Sequence, residues 1–310
     1  MSLRWLAMVL LVFMGLSQPA ASQTGGTDPT ASKAVSDEAS REQELQTAFV
    51  EGSKAATKGK ADVPLLAQAS LHLPPNYMFI PQPQAARIMR ALGNTASQSL
   101  VGLVFPASGT QDWFAEIKFV ASGYVKDGEA KDWKADALLA DLREGTEEAN
   151  KDRIARGFAA IEVVGWAQSP AYDPQTHRLV WAATNRELNS ADTTLGVNYN
   201  TYALGRDGYF TLNLLTDADK LPGNKVHSVT LLAALEYNKG KAYTDFDSST
   251  DNVAAYGITA LVAGVAAKKL GMFALIAAFA AKGAKVLIIA GIAALAGLRR
   301  LFTGRKDPSA

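Results

Sequence analysis

Residues 165–182 read G-W-A-Q-S-P-A-Y-D-P-Q-T-H-R-L-V-W-A, and this stretch decides the fold. Gly165 and Trp166 end an apolar run that begins near Phe158. Leu179 opens a second run that continues to Thr184. Between them lies a polar segment with Pro170 and Pro174. Two apolar runs separated by turn residues predict an antiparallel strand pair within one sheet. The stretch also holds two of the five tryptophans and one of the three histidines, so function is sought here first.

Further strand-like runs flank it. Residues 198–204 and 209–215 enclose Gly205-Arg206-Asp207-Gly208, a hairpin turn signal. Upstream, residues 100–106 and 113–120 read as strands, and residues 64–74 as one more, with Leu65, Ala69, Leu71 and Leu73 largely in alternation. Helices separate these runs. Pro83 opens one whose Ala85, Ile88, Met89 and Leu92 share a face and whose end is Gly93-Asn94. Ala135, Leu138, Leu139 and Leu142 mark a second, residues 146–156 a third, and residues 228–237 a fourth. Near the start, Ser36-Asp37-Glu38 opens a helix with a stripe of Leu45, Ala48 and Phe49, ended by residues 52–59. Four successive strands with helices before and after predict α+β: an antiparallel meander sheet packed with helices, plus apolar C-terminal helices forming a membrane anchor.

The ends of the chain carry the targeting signals. Residues 1–22 read as a signal peptide, with Arg4, an apolar run over residues 6–16, and small residues at Ala20-Ala21-Ser22. That run spans only about 16 Å as a helix, short for a membrane span. Residues 23–62 are a linker and an N-terminal helix, and 63–250 a soluble α+β domain. Residues 251–283 are an apolar helical region, in which 253–267 predicts a helix lying on the body or at the membrane surface. Residues 284–302 are a transmembrane anchor, and 303–310 a basic cytoplasmic tail. The uncharged part of the anchor, 286–298, spans about 20 Å, and Lys285, Arg299 and Arg300 can reach the interface on either side. A membrane hairpin of 270–281 and 286–298 is the rival arrangement.

Composition excludes several functions. The chain has 310 residues and a net charge of +1. Residues 284–310 hold Lys285, Arg299, Arg300, Arg305 and Lys306 against Asp307, a net +4, so the rest carries −3. A slightly acidic body offers no footprint for nucleic acid. With no cysteine there is no thiol nucleophile, Cys-ligated zinc, iron–sulfur cluster or disulfide. No glycine-rich nucleotide loop appears, and the histidines, His72, His177 and His227, have no metal-ligand spacing. No cofactor is expected.

The motifs L-H-L-P-P-N-Y-M-F (71–79), G-Y-V-K-D (123–127), G-W-A-x-x-P-x-Y-D (165–173) and T-H-R-L-V-W-A (176–182) occur in that order. They are followed by N-Y-N (198–200), L-G-R-D-G (204–208) and D-N-V-A-A-Y-G-I-T-A-L-V-A-G (251–264). On these the chain resembles an uncharacterised bacterial family of membrane-anchored proteins, a domain of unknown function, over residues 71–270. It departs at Gly128, where the family leads one to expect an acid, and near Tyr202, where it leads one to expect an arginine. The resemblance implies a membrane-anchored envelope protein and brings no reaction, cofactor or catalytic residue.

Each candidate site residue carries two readings. His177 with Asp173, beside Tyr172, fits a general base with a carboxylate partner. The same residues fit a turn, preferred because no nucleophile motif accompanies the histidine. Asp127, Glu129 and Asp132 could hold a hard cation such as Ca²⁺, or form a solvated turn and helix start. Arg153, Arg156, Arg178 and Arg206 could grip an anionic headgroup or cell-wall fragment, or sit at element ends. Trp166, Tyr172 and Trp181 could stack on a sugar or partner peptide, or pack as core and rim. The sequence thus favours a binding or interaction module facing the periplasm. It would be anchored in inner-membrane lipid, with an envelope protein or cell-wall partner. The alternative is an envelope hydrolase using His177 with a nearby carboxylate.

Overall fold

A computed structural model describes residues 29–94, 96–108, 113–189 and 194–263. The predicted signal peptide, transmembrane anchor and basic tail lie outside these residues. Among the described residues, no helix is long and apolar enough to cross a membrane.

The chain opens with α1 (Pro29–Ala55), β1 (Thr57–Lys58), β2 (Ala61–Leu65), β3 (Ala69–Leu73), β4 (Tyr77–Pro81) and α2 (Gln84–Ala91). It continues with β5 (Leu100–Pro106), β6 (Phe114–Val120), a 3-10 turn (Gly128–Asp132) and α3 (Ala135–Ala155). Then come β7 (Ile161–Asp173), β8 (Arg178–Glu187), β9 (Gly196–Leu204), β10 (Tyr209–Asp217) and α4 (Leu221–Ala233). β11 (Leu235–Tyr237), a 3-10 turn (Tyr243–Asp245) and α5 (Ala260–Ala263) complete it.

The fold is α+β around an eight-stranded sheet of order β1-β4-β5-β6-β10-β9-β8-β7, whose described pairings are all antiparallel. It consists of two meanders, β4-β5-β6 and β7-β8-β9-β10, joined where β6 pairs with β10, with the two-residue β1 added at the edge on β4. The expected pairing of residues 165–184 is β7 with β8. A second sheet, β11-β3-β2, lies beside it.

Alternation along the strands sends side chains to opposite faces. Phe79, Val104, Ala115, Leu214, Tyr199 and Ala182 share one row, buried against the second sheet and α4. The neighbouring row runs Ile80, Leu103, Glu116, Asn213, Asn200, Trp181 on the other face. At the Ile80 end it is covered by Leu45, Ala48 and Phe49 of α1 and Ile88 and Met89 of α2. Gly52 permits this approach, since a Cβ there would stand 3.0 Å from Ile88 and 3.2 Å from Ile80. At the Trp181 end, α3 and residues 258–262 give the cover, and the buried Tyr202 hydroxyl donates to Leu261 O (2.9 Å).

Several elements differ from the sequence expectation. Residues 64–74 form a hairpin, not one strand: the chain reverses at Leu66, whose φ is +56°. The turn lacks the glycine or asparagine that usually announces such a reversal. The second and third helices are one, α3. Its Gly145 costs about 1 kcal/mol relative to alanine, and the helix is held to β7 on both sides of that glycine by Arg143 and Asn150. Helix α4 starts at Leu221, with Pro222 in its first turn, and stops at Ala233 so that residues 235–237 can join β3. Residues 251–259 are extended or turning, not helical. Their backbone is engaged by Tyr124 N to Asn252 O (2.8 Å), Ala254 N to Tyr124 O (2.8 Å) and Ile258 N to Lys126 O (3.0 Å).

The strand β7 runs through Pro170, which the sequence places in a loop. It is an edge strand, where a missing N–H breaks no ladder, and register shifts at 163–171 mark its irregularity. Its first half is closed by α3. Asn150 donates to Ile161 O (2.7 Å) and accepts from Ile161 N (2.9 Å). Arg143 donates to Val163 O (3.0 Å) and Val164 O (2.6 Å).

Candidate functional site

The tip of the β7–β8 hairpin is an Asp-initiated turn. Asp173 accepts from Gln175 N (2.9 Å) and from the Thr176 hydroxyl (2.7 Å). The Thr176 bond, with the Gln175 amide, holds its carboxyl below the usual range. Asp173 is thereby committed to the turn. His177 follows at φ +54°, and its carbonyl accepts from Leu204 N (3.0 Å).

The carboxylate that faces His177 is Asp127, brought by the loop after β6. Tyr172 donates its hydroxyl to Asp127 Oδ2 (2.7 Å) and lies 3.2 Å from His177 Nδ1. His177 Nδ1 is itself 3.7 Å from Asp127 Oδ2. Because the phenol proton points at Asp127, the bond to His177 needs its proton on Nδ1. Burial, then the Asp127 hydrogen bond, pushes the Tyr172 phenol far up. Tyr243 covers the imidazole, with ring centroids 4.2 Å apart, and is stacked in turn on Tyr124. The Tyr243 hydroxyl donates to Val125 O (2.8 Å). The cluster ties three segments together and leaves the ring 20% exposed.

The other candidates divide. Glu129 is exposed, and its carboxylate abuts Gly257, where an added Cβ would fall 1.5 Å from Glu129 Oε1. Asp132 closes the 3-10 turn, and its side chain lies outside the described residues. Among the described residues, no three His, Asp or Glu side chains converge to hold a metal ion. Arg206 makes a two-pronged pair with Asp251 (2.7 and 2.8 Å). Arg178 donates to Leu232 O at the end of α4, and burial lowers its pKa. Trp166 donates to Ala135 O (3.1 Å) and meets Trp181 edge-on at 5.9 Å. Trp181 is buried against Tyr202, whose phenol burial pushes up. These side chains are engaged by their own chain.

Arg153 and Arg156 gather elsewhere, around Phe158 at the end of α3. The Arg153 guanidinium carbon is 5.9 Å and that of Arg156 5.5 Å from the ring centroid. A third, Arg41 of α1, stands closer at 4.9 Å and donates to Gly157 O (3.1 Å). Next to this ring opens a cavity of about 440 Å³, lined by Ser40, Arg41, Glu44, Arg87, Arg90, Ala91 and Phe158. Sequence reasoning missed Arg41, Arg87 and Arg90. The available signal was the spacing of Arg87 and Arg90, three apart on a helix whose other face is buried.

Residues 56–295 match the model of a family described as a protein of unknown function, DUF2167. No curated protein matches the chain. Among solved structures, it is similar to the solution structure of cyanobacterial PsbP (CyanoP) from Synechocystis sp. PCC 6803. The sequence identity is 9% and the TM-score 0.36, over 59% of this chain and 91% of that one.

Proposed function

The chain belongs to the DUF2167 family of unknown function, and we propose that it is a membrane-anchored bacterial envelope protein whose body is a binding module facing the periplasm. The observation that carries the binding reading is the open, arginine-lined cavity at Phe158. Its one carboxylate, Glu44, is held ionised by Arg87 and so is not poised as a general acid. Anchoring is supported by the signal-like residues 1–22 and by the apolar run 286–298 between Lys285 and Arg299. Reporter fusions after residue 250 and after Ala310 test the topology. The expected readings are outside at 250 and inside at 310, as the positive-inside rule prefers. Two outside readings would mean a membrane hairpin, and an inside reading at 250 would refute a periplasmic body.

A hydrolase is the second reading, favoured by one observation: with the Tyr172 proton on Asp127, a neutral His177 bonded to the Tyr172 oxygen carries its proton on Nδ1, and Nε2 is then its acceptor nitrogen. Against it, the polar partners described for the ring are Tyr172 and Asp127, and neither is a serine, threonine or cysteine nucleophile. A His177→Ala strain decides. Retained envelope function supports the module, and complete loss with a normally folded protein supports the hydrolase.

A further inference from the structure

We propose that the cavity at Phe158 binds a phosphate group, presented by a free phosphate or by an anionic lipid headgroup; the inference rests on the binding-module reading and names its ligand. Three guanidinium groups line the cavity against one carboxylate. Arg87 and Glu44 cancel: Arg87 Nε and Nη2 donate to the two Glu44 oxygens (2.6 and 2.9 Å), and Nη1 donates to Glu51 (2.5 Å). That three-residue brace fixes α1 to α2 and uses the Arg87 fork. Arg41 and Arg90 remain. Arg41 spends one N–H on Gly157 O. Arg90 is exposed and its side chain makes no hydrogen bond or close ion pair among the described residues, although its charge, after the Arg87 hydrogen bond, also helps lower the Glu44 pKa.

The chemistry of the ligand follows from what the ring is used for. Three guanidinium groups already crowd Phe158 within 6 Å, so the ring holds cations instead of offering a face to a ligand's own ring. Recognition then falls to the outward N–H forks. Two forks on two different helices suit a tetrahedral anion. A carboxylate has two oxygens in one plane and is filled by one fork, whereas a phosphate group sets its oxygens tetrahedrally, in the free anion and in a diester headgroup alike, so that forks from two sides can reach it. The clustered positive groups here are all arginine, which suits fork-shaped contacts better than lysine does. At about 440 Å³ the cavity also has room for the glycerol-sized body of a headgroup.

The test uses the full chain purified in a mild non-ionic detergent. Inorganic phosphate, dihexanoyl-phosphatidylglycerol and dihexanoyl-phosphatidylcholine are titrated separately by calorimetry. Saturable binding of phosphate or phosphatidylglycerol is expected, with the zwitterionic phosphatidylcholine at least about ten-fold weaker. Arg90→Gln and Arg41→Lys should each weaken binding about ten-fold, the second because it keeps the charge and loses the fork. Arg186→Gln, in an exposed pair with Glu162, should leave it unchanged. Phosphatidylglycerol binding more tightly than phosphate assigns the source to lipid, and the reverse assigns it to a free anion. No saturable binding of either, or equal weakening by Arg186→Gln, overturns the proposal. Because Arg90 is exposed, its substitution tests binding even if Arg41→Lys disturbs the fold. A flat titration alongside outside and inside reporter readings would reject the phosphate and leave the anchored module standing.

Discussion

Asn150 closes the edge of the sheet with both ends of its amide, and removing it is a quantitative test of how β7 is held. The side chain is 7% exposed and makes two bonds to one residue, donating to Ile161 O and accepting from Ile161 N. A hydrogen bond contributes about 0.5–1.5 kcal/mol net, so Asn150→Ala should cost about 1–3 kcal/mol. For a body of this size that is a fall of about 2–12 °C in melting temperature. Asn150→Asp sharpens the test. It keeps the acceptor for Ile161 N but turns a carboxylate oxygen toward Ile161 O, so near pH 7 it should lose at least as much as alanine. On acidification the neutral carboxyl regains a donor, and stability relative to wild type should recover. Thermal melts at several pH values, with amide exchange at Ile161, give the readout. An alanine variant melting within about 1 °C of wild type, or an aspartate variant equal to wild type near pH 7, would refute the reasoning. Arg143 keeps its own bonds to Val163 O and Val164 O, so the helix should stay docked in either variant.

Two pH predictions have opposite signs. Asp251 is held at about 2 by the Arg206 guanidinium and the Asp247 amide, so its contribution is present above 3.8 and lost as pH falls through about 2. The melting gap between wild type and Asp251→Asn should therefore close over that interval, and a gap that widened would contradict the assignment. His72 lies between Asp62 (2.7 Å) and Glu236 (3.1 Å), which raise its pKa above 6.5 in that order. Its contribution is present below 6.5 and lost as pH rises through the folded value. Melts of wild type and His72→Gln from about pH 5.5 to about pH 8.5 should converge at the alkaline end; parallel curves would dismiss it. Trp181→Ala should cost about 3–5 kcal/mol, against about 1 kcal/mol for His177→Ala. Equal losses in chemical denaturation would mean the hairpin tip is as important as the core.

What the sequence revealed depended on how local the cause was. Residues 100–106, 113–120, 198–204 and 209–215 were legible because apolar runs and turn residues are short-range signals. The reversal at Leu66 was not, since the turn carries no marker and is imposed by pairing of β2 with β3. The apolar face at 135–142 and the polar stretch at 146–156 read as two helices, but α3 runs through both, tied to β7 on either side of Gly145. The site was less legible still. Asp173 is the carboxylate nearest His177 in sequence, yet it is used by its own turn. Asp127, fifty residues upstream, takes the place beside the ring. Arg41 and Gly157 are 116 positions apart, a separation no spacing rule spans.

The way residues 251–263 are fastened has a mechanical consequence. Any pull on the chain beyond them enters the body at this segment. Val253 bridges Tyr124 in parallel, Leu261 O holds the Tyr202 hydroxyl, and Ile258 and Val262 are fully buried. Tension would therefore be shared among several bonds and buried side chains instead of peeling them one by one. It would be passed to β9 through Tyr202 and to the loop after β6 through Tyr124. That loop also carries Asp127, so part of a load on the C-terminal side would reach the Tyr172–His177 cluster through it.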